Sequence, residues 1–195
     1  MLYAARDLEA AGTAFAERHG LASVPGGRHP AWGTENRIVA LGRGSYLELV
    51  AVADPEAAAA SDFGRGVLAA VEAGDGLAGW AVATDDLDGV ARRLGLEVSG
   101  GSRIRPDGTT LSWRLAGVRL AMSTGAFPFF IQWDGPREMH PGAAVAEHRV
   151  TPAGIARVEV TGDERELGAW LGDEGLPLEI APGPPGARRS RCNAG

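Results

Sequence analysis

The sequence predicts an α+β fold built from two βαβββ modules, with an additional C-terminal strand-helix-strand element. Three observations carry this reading. YAARDLEAAGTAFAERHGLASVPGG, starting at Tyr3, is echoed by AVATDDLDGVARRLGLEVSGG from Ala81 and more faintly by VEVTGDERELGAWLGDEGLPLEIAPG from Val158. Each copy reads as a short strand, an Asp N-cap, an amphipathic helix, a Gly stop and a second strand. After the first two copies come further strand candidates instead of another helix, which makes each a βαβββ unit.

In chain order, Leu2 to Ala5 read as a strand running into Asp7, and Leu8, Ala11, Phe15 and Ala16 recur at helical spacing until Gly20. Asn36–Leu41 and Ser45–Val52 follow as strands joined by the hairpin turn GRG, completing a first module over residues 1–53. Residues 54–76 form a helical connector, expected from Pro55 to Glu72 with a break near Gly64 and Gly66. The second module, 77–135, buries Leu87, Val90, Ala91 and Leu94 on its helix. After its RPDGTT turn come strand candidates at Thr110–Leu115, Val118–Ser123 and Pro128–Trp133. Residues 136–195 hold a second connector, the partial third unit with Leu167, Trp170 and Leu171 as its buried stripe, and an irregular tail, GARRSRCNAG.

Composition narrows the function. Nineteen basic against twenty-five acidic side chains give a net charge of −6, which disfavours nucleic acid and anionic membrane as partners and favours a small-molecule ligand. All the basic residues are Arg, so chemistry that needs a lysine amine is excluded: Schiff bases, a pyridoxal-phosphate anchor, a P-loop. The single Cys192 rules out an internal disulfide. The chain shows neither the apolar core of a signal peptide nor a run of ~20 apolar residues, and a cytoplasmic location is expected.

Paired βαβββ units resemble the vicinal oxygen chelate superfamily, which includes glyoxalases, bleomycin-resistance proteins and extradiol dioxygenases. Within it, GGRHPAWGTENRIVALGRGSYLELVAV (26–52) resembles the glyoxalase-like branch, where an HP-x-W-G-T-x-N turn precedes a Y-L-E-L strand; PFFIQW followed by HPG at His140 fits the same branch. The resemblance covers about residues 1–182. It implies curved mixed sheets that meet around a cavity, within one chain or across a homodimer. It also implies a divalent metal site with ligands from the first and last strands of each unit. Glu48 matches the last-strand carboxylate of the first unit, and Gln132 is placed at the matching position of the second. The first-strand positions fall on Gly79 and just before Met1, so the inherited metal site is expected to be degraded, with Glu48 and Gln132 its only candidate ligands.

Other residues carry a pocket reading beside a plainer one. His29 and His140, each in a Gly/Pro-rich turn, are placed near one cavity mouth, where Glu35 or Glu48 would orient His29 for proton transfer. The plainer role for His29 is to cap its loop through a backbone carbonyl. His19 is expected to meet the helix dipole and His148 to face solvent. Glu48 shares a strand face with Tyr46 and Val50, and an acid on that apolar face is expected to open onto the cavity, with Arg37 or Arg114 as partner. Trp32, Trp80, Trp113, Phe129 and Trp133 are candidate walls, and Asn36 is expected to satisfy the turn's backbone.

Two functions follow. One is a binding protein that holds a small organic molecule through Trp32, Asn36, Arg37, Glu48, Trp113, Gln132 and His140. The other is a metal-dependent lyase, isomerase or dioxygenase using Glu48, with His29 as a second catalytic candidate.

Overall fold

The computed structural model describes residues 1–172 and 175–194. The punctuation of the repeat is visible in all three copies. Helix α1 (Leu8–His19) starts where the Asp7 carboxylate accepts the N–H groups of Glu9 and Ala10 at 2.9 and 3.0 Å, and it ends at Gly20. Asp86 caps α4 (Leu87–Leu94) through the Gly89 N–H, and Asp163 caps α6 (Glu164–Leu171) through the Glu166 N–H, both at 2.9 Å.

The first unit contributes strands β1 (Leu2–Ala4), β2 (Val24–His29), β3 (Thr34–Gly42) and β4 (Ser45–Val52), in the spatial order β2-β3-β4-β1 with β1 parallel to β4. The second repeats that order with β6 (Ala81–Ala83), β7 (Val98–Ile104), β8 (Thr110–Ala116) and β9 (Phe129–Trp133), as β7-β8-β9-β6 with β6 parallel to β9. The short strand β5 (Gly76–Gly79) lies antiparallel to β1. The units join within one chain through β2 and β7, where Arg28 pairs with Ile104, giving one curved nine-stranded sheet.

Alternation along the strands divides the core in two. Val39, Leu41, Leu47 and Leu49 pack outward with residues of α1, α4 and the third unit, including Val90, Val160 and Leu167. On the inner face, Leu2, Val50, Leu111, Trp113 and Leu115 meet Phe63 and Val67 of α3 (Asp62–Ala73) and Ala121 and Met122 of α5 (Val118–Thr124). The inner face of the sheet is therefore partly filled by helices from the connections.

Three expectations change. Val118–Ser123 is the helix α5, not a strand: Gly117 and Gly125, both left-handed, bracket it, and Val118, Ala121 and Met122 turn inward at helical spacing. That leaves three strands after the helix of the second unit, as in the first. The connector breaks at Ser61, between α2 (Pro55–Ala60) and α3, because extended Ser61 ends one helix and its hydroxyl accepts the Gly64 N–H at 2.9 Å to start the next. Gly64 and Gly66 lie inside α3, where a Cβ would come within 2.5 Å of the Ala58 and Trp32 backbones and of Met122, respectively. The tail expected to be irregular forms β12 (Gly186–Ala194), antiparallel to β10 (Pro152–Thr161), with β11 (Leu178–Ala181) parallel on the other side. Backbone pairing along an open strand edge does not require an apolar sequence. Gly195 lies outside the described residues.

Two glycine substitutions are expected to move stability in opposite directions. Gly64→Ala places a Cβ against backbone that cannot yield and should cost about 1–3 kcal/mol. Gly168→Ala, in α6 with open space around its Cβ, should gain ~0.5–1 kcal/mol. Urea unfolding midpoints of the two variants check this.

Candidate functional site

The inner face curves around a small, partly open cavity of about 30 Å³ between the two units. Its apolar walls are Trp32, Phe63, Trp113, Leu115, Phe129, Ile131, Trp133 and Pro141, and its polar groups are His29, Asn36, Tyr46, Glu48 and Arg103.

The sheet register assembles the polar wall. Ile38 of β3 lies opposite Glu48 of β4, so Asn36, two residues on, is a diagonal neighbour on the same face. Its amide N–H donates to Glu48 Oε1 at 2.6 Å, while its Oδ1 accepts from Arg103 of the second unit at 3.4 Å. These two contacts fix the amide orientation and make Asn36 a bridge between a partly buried carboxyl and a buried guanidinium. His29 Nδ1 sits 2.9 Å from the Thr34 hydroxyl, and its Nε2 lies 3.5 Å from Asn36 Nδ2 and 3.9 Å from Glu48 Oε1. Because the Asn36 amide nitrogen can only donate, Nε2 is the acceptor and Nδ1 carries the proton.

The glycines of the motif create the space. A Cβ at Gly26 would lie 2.1 Å from Asn36 Oδ1, and one at Gly101 would lie 2.3 Å from the Trp113 indole nitrogen. Gly33, left-handed at φ 62° after the Pro30–Trp32 turn, accepts the N–H groups of Ala53 and Asp54 through its carbonyl, which ties the WGT turn to the connector.

Burial dominates the electrostatics. His29, 2% exposed, is pushed down to about 3 by desolvation and then by the Arg103 charge, so its imidazole is neutral. Desolvation raises Glu48 above the usual carboxylate range, against the lowering effects of the Asn36 hydrogen bond, Arg103 and the chain's amino terminus. The Tyr46 phenol is driven upward by burial and by Glu48, and stays neutral. Arg103 is lowered by burial, opposed by Glu48, and keeps its charge. Arg103 Nε and Trp133 Nε1 are both buried and without a hydrogen-bond partner.

Several sequence expectations are redirected. Gln132 points away from the cavity and donates to the Asp85 carbonyl at 3.1 Å. The register gives the reason: Glu48 pairs with Leu2 and Phe129 pairs with Ala81, the residues that the repeat aligns, so Phe129 is the counterpart of Glu48. Arg37 lies on the opposite face of β3, bound to Ser23 and Glu9, and Arg114 pairs with Asp88, so neither reaches Glu48. His29 is enclosed in the cavity wall and makes no cap bond to its loop. Asn36 binds side chains, not the turn's backbone. His140 packs edge-on against Tyr46 and Trp133 at ring distances of 5.6 and 5.2 Å, lining a neighbouring groove, and its Nδ1 accepts the Gly142 N–H. Trp80 is core, with its indole on the Ala126 carbonyl, and His148 is half-buried, accepting the Ala22 N–H. Glu48, Trp32, Trp113, Phe129 and Trp133 do face the cavity.

Arg103 is the residue that sequence reasoning passed over. It lies in SGGSRIR, a segment without apolar alternation, just past the Gly-Gly that closes the second repeat copy. Its neighbours Arg105 and Pro106 belong to the turn.

The family model for the glyoxalase-like domain matches residues 1–174. The chain belongs to the glyoxalase-like domain family. Strands β11 and β12 lie beyond the matched segment of this glyoxalase-like protein. A hypothetical protein from Staphylococcus aureus has a similar structure, with a TM-score of 0.65 and 19% identity over 87% of this chain and 73% of that one. Methylmalonyl-CoA epimerase from Mycobacterium tuberculosis aligns with a TM-score of 0.48 and 19% identity, over 70% of this chain and 86% of its own. No curated protein matches the chain.

The state of His29 predicts a pH dependence. Its unfolded value of 6.5 exceeds the folded value of about 3, so the unfolded chain binds the extra proton between them. This group's contribution to stability is full above pH 6.5 and lost as pH falls toward 3, by up to about 1.4 kcal/mol per pH unit. Glu48 is raised and acts oppositely, its contribution declining as pH rises above 4.5. Urea titrations from pH 4 to pH 8 should therefore show His29→Gln flattening the acid limb and Glu48→Gln steepening it.

Proposed function

We propose that this glyoxalase-like protein binds a small organic molecule in the cavity between its βαβββ units, and that the inherited metal site is degraded. The observation that carries the reading is Phe129 in the place of a second carboxylate. Glu48 is left facing an aromatic ring and a bridged guanidinium where a divalent ion would need oxygen and nitrogen donors. Among the described residues no three His, Cys, Asp or Glu side chains cluster in a way that could hold a metal ion. The donors near Glu48 are a neutral imidazole 3.9 Å away and an amide that donates to it, and Arg103 adds a positive charge that opposes a cation. These residues do not fit the superfamily's metal, so no specific contact favours the metal-dependent lyase, isomerase or dioxygenase.

What the cavity does offer is mostly aromatic and apolar walls with a few fixed polar groups, the usual make-up of a small-molecule site. Its small volume means that only part of a ligand fits between the units, with the rest lying outside. The polar wall supports orientation: Glu48 and His29 are held by Asn36 and Thr34, so their positions do not depend on the ligand.

Elemental analysis after incubation with Zn²⁺, Mn²⁺ or Ni²⁺ and desalting should give substoichiometric metal. One equivalent that disappears in Glu48→Gln would contradict the proposal. A thermal-shift panel of small aromatic and aliphatic compounds should raise the wild-type Tm by mass action, and Glu48→Gln should weaken the same compounds about five- to tenfold. Unchanged affinity would remove Glu48 from the site.

A further inference from the structure

Two donors on the cavity wall are buried without an acceptor. Arg103 is 5% exposed; its Nη1 reaches Asn36 at 3.4 Å, while its Nε has no partner. The Trp133 indole N–H has none either, although its ring is held against Trp113 at 5.0 Å and His140 at 5.2 Å. Buried N–H groups left unpaired are costly, and a guanidinium more so than an indole. The carboxyl on the cavity wall, Glu48, meets Arg103 only through Asn36, and burial holds it toward its neutral form, so the guanidinium charge is poorly compensated. The missing group is an acceptor with negative charge. A neutral carbonyl would satisfy one N–H and leave the charge, whereas a carboxylate offers two oxygens to a guanidinium fork and its neighbour.

The walls also show where the rest of such a molecule would lie. Ile131 and Trp133 line both the 30 Å³ cavity and an adjacent groove of about 560 Å³ that runs past Thr84, Arg137 and His140. Trp133 is partly exposed and its indole is anchored by no hydrogen bond, so it is the least fixed part of the partition. We propose that cavity and groove are one binding site for a small organic carboxylate, with the carboxylate on Arg103 and the Trp133 N–H and the body of the molecule in the groove. This rests on the small-molecule reading above and names its ligand class.

Benzoate and phenylacetate, each against its primary amide, test it by calorimetry and tryptophan fluorescence. Both carboxylates should bind saturably and at least about tenfold tighter than benzamide and phenylacetamide. Arg103→Gln, with folding checked by circular dichroism, should bring carboxylate affinity down to the amide level. Trp133→Phe, which keeps a ring in the partition, should weaken it several-fold; if Arg103→Gln does not fold, this variant and the wild-type ratio decide. Amides binding as tightly as carboxylates would overturn the carboxylate assignment while leaving the small-molecule cavity standing. Failure of all four compounds to bind at up to about 10 mM would overturn both. Carboxylate affinity unchanged in folded Arg103→Gln would remove the guanidinium from the site.

Discussion

A buried guanidinium in one unit is linked to a partly buried carboxyl in the other by a single amide. Arg103 comes from β7, Asn36 from β3 and Glu48 from β4, so the bridge crosses the junction between the two βαβββ units. A guanidinium alone at that depth is costly, burial already pushes the Glu48 carboxyl toward its neutral form, and both are held at hydrogen-bonding distance only if the strands approach closely. Close approach is supplied by glycine: a side chain at Gly26 would occupy the position of the Asn36 amide oxygen, and one at Gly27 would meet the Ile104 carbonyl. The GGRHP stretch is thus a packing requirement of the bridge, and the aromatic walls around it lower the local dielectric, which strengthens the bridge.

The same constraint accounts for the divergence of the two units. They share topology, strand order and Asp-capped helices, yet the inward position that holds Glu48 in the first holds Phe129 in the second. An aromatic ring there completes a wall with Trp113, Trp32 and Phe63 instead of a second ligand. His29 follows the wall and not the chemistry: with Trp32 and Trp113 packed on its ring and Thr34 on Nδ1, it is a neutral, oriented acceptor.

Much of this was legible in the sequence where local rules govern. The Asp and Gly punctuation located three helices, the repeat gave the two units, and the acid in YLEL pointed inward because its strand face is otherwise apolar. What escaped depended on register or on contacts between distant segments. Gln132 and Phe129 lie three residues apart in β9 and so on opposite faces, and only the pairing of β9 with β6 says which of them faces the cavity. Val118–Ser123 sits between two strand candidates, yet its Arg, Leu, Ala and Met favour helix, and Ala121 and Met122 pack inward from it. Arg103 was hidden in a glycine-rich, polar run because its burial is imposed by Asn36, 67 residues away in sequence.

The central claim is that Arg103 and Glu48 are energetically coupled through Asn36, and a double-mutant cycle measures it directly. Urea stabilities of Arg103→Met, Glu48→Gln and the double variant should give a coupling of about 1.5 kcal/mol or more, collapsing when the cycle is repeated in an Asn36→Ala background. A coupling near zero in the parent, or one that survives loss of Asn36, would contradict the account.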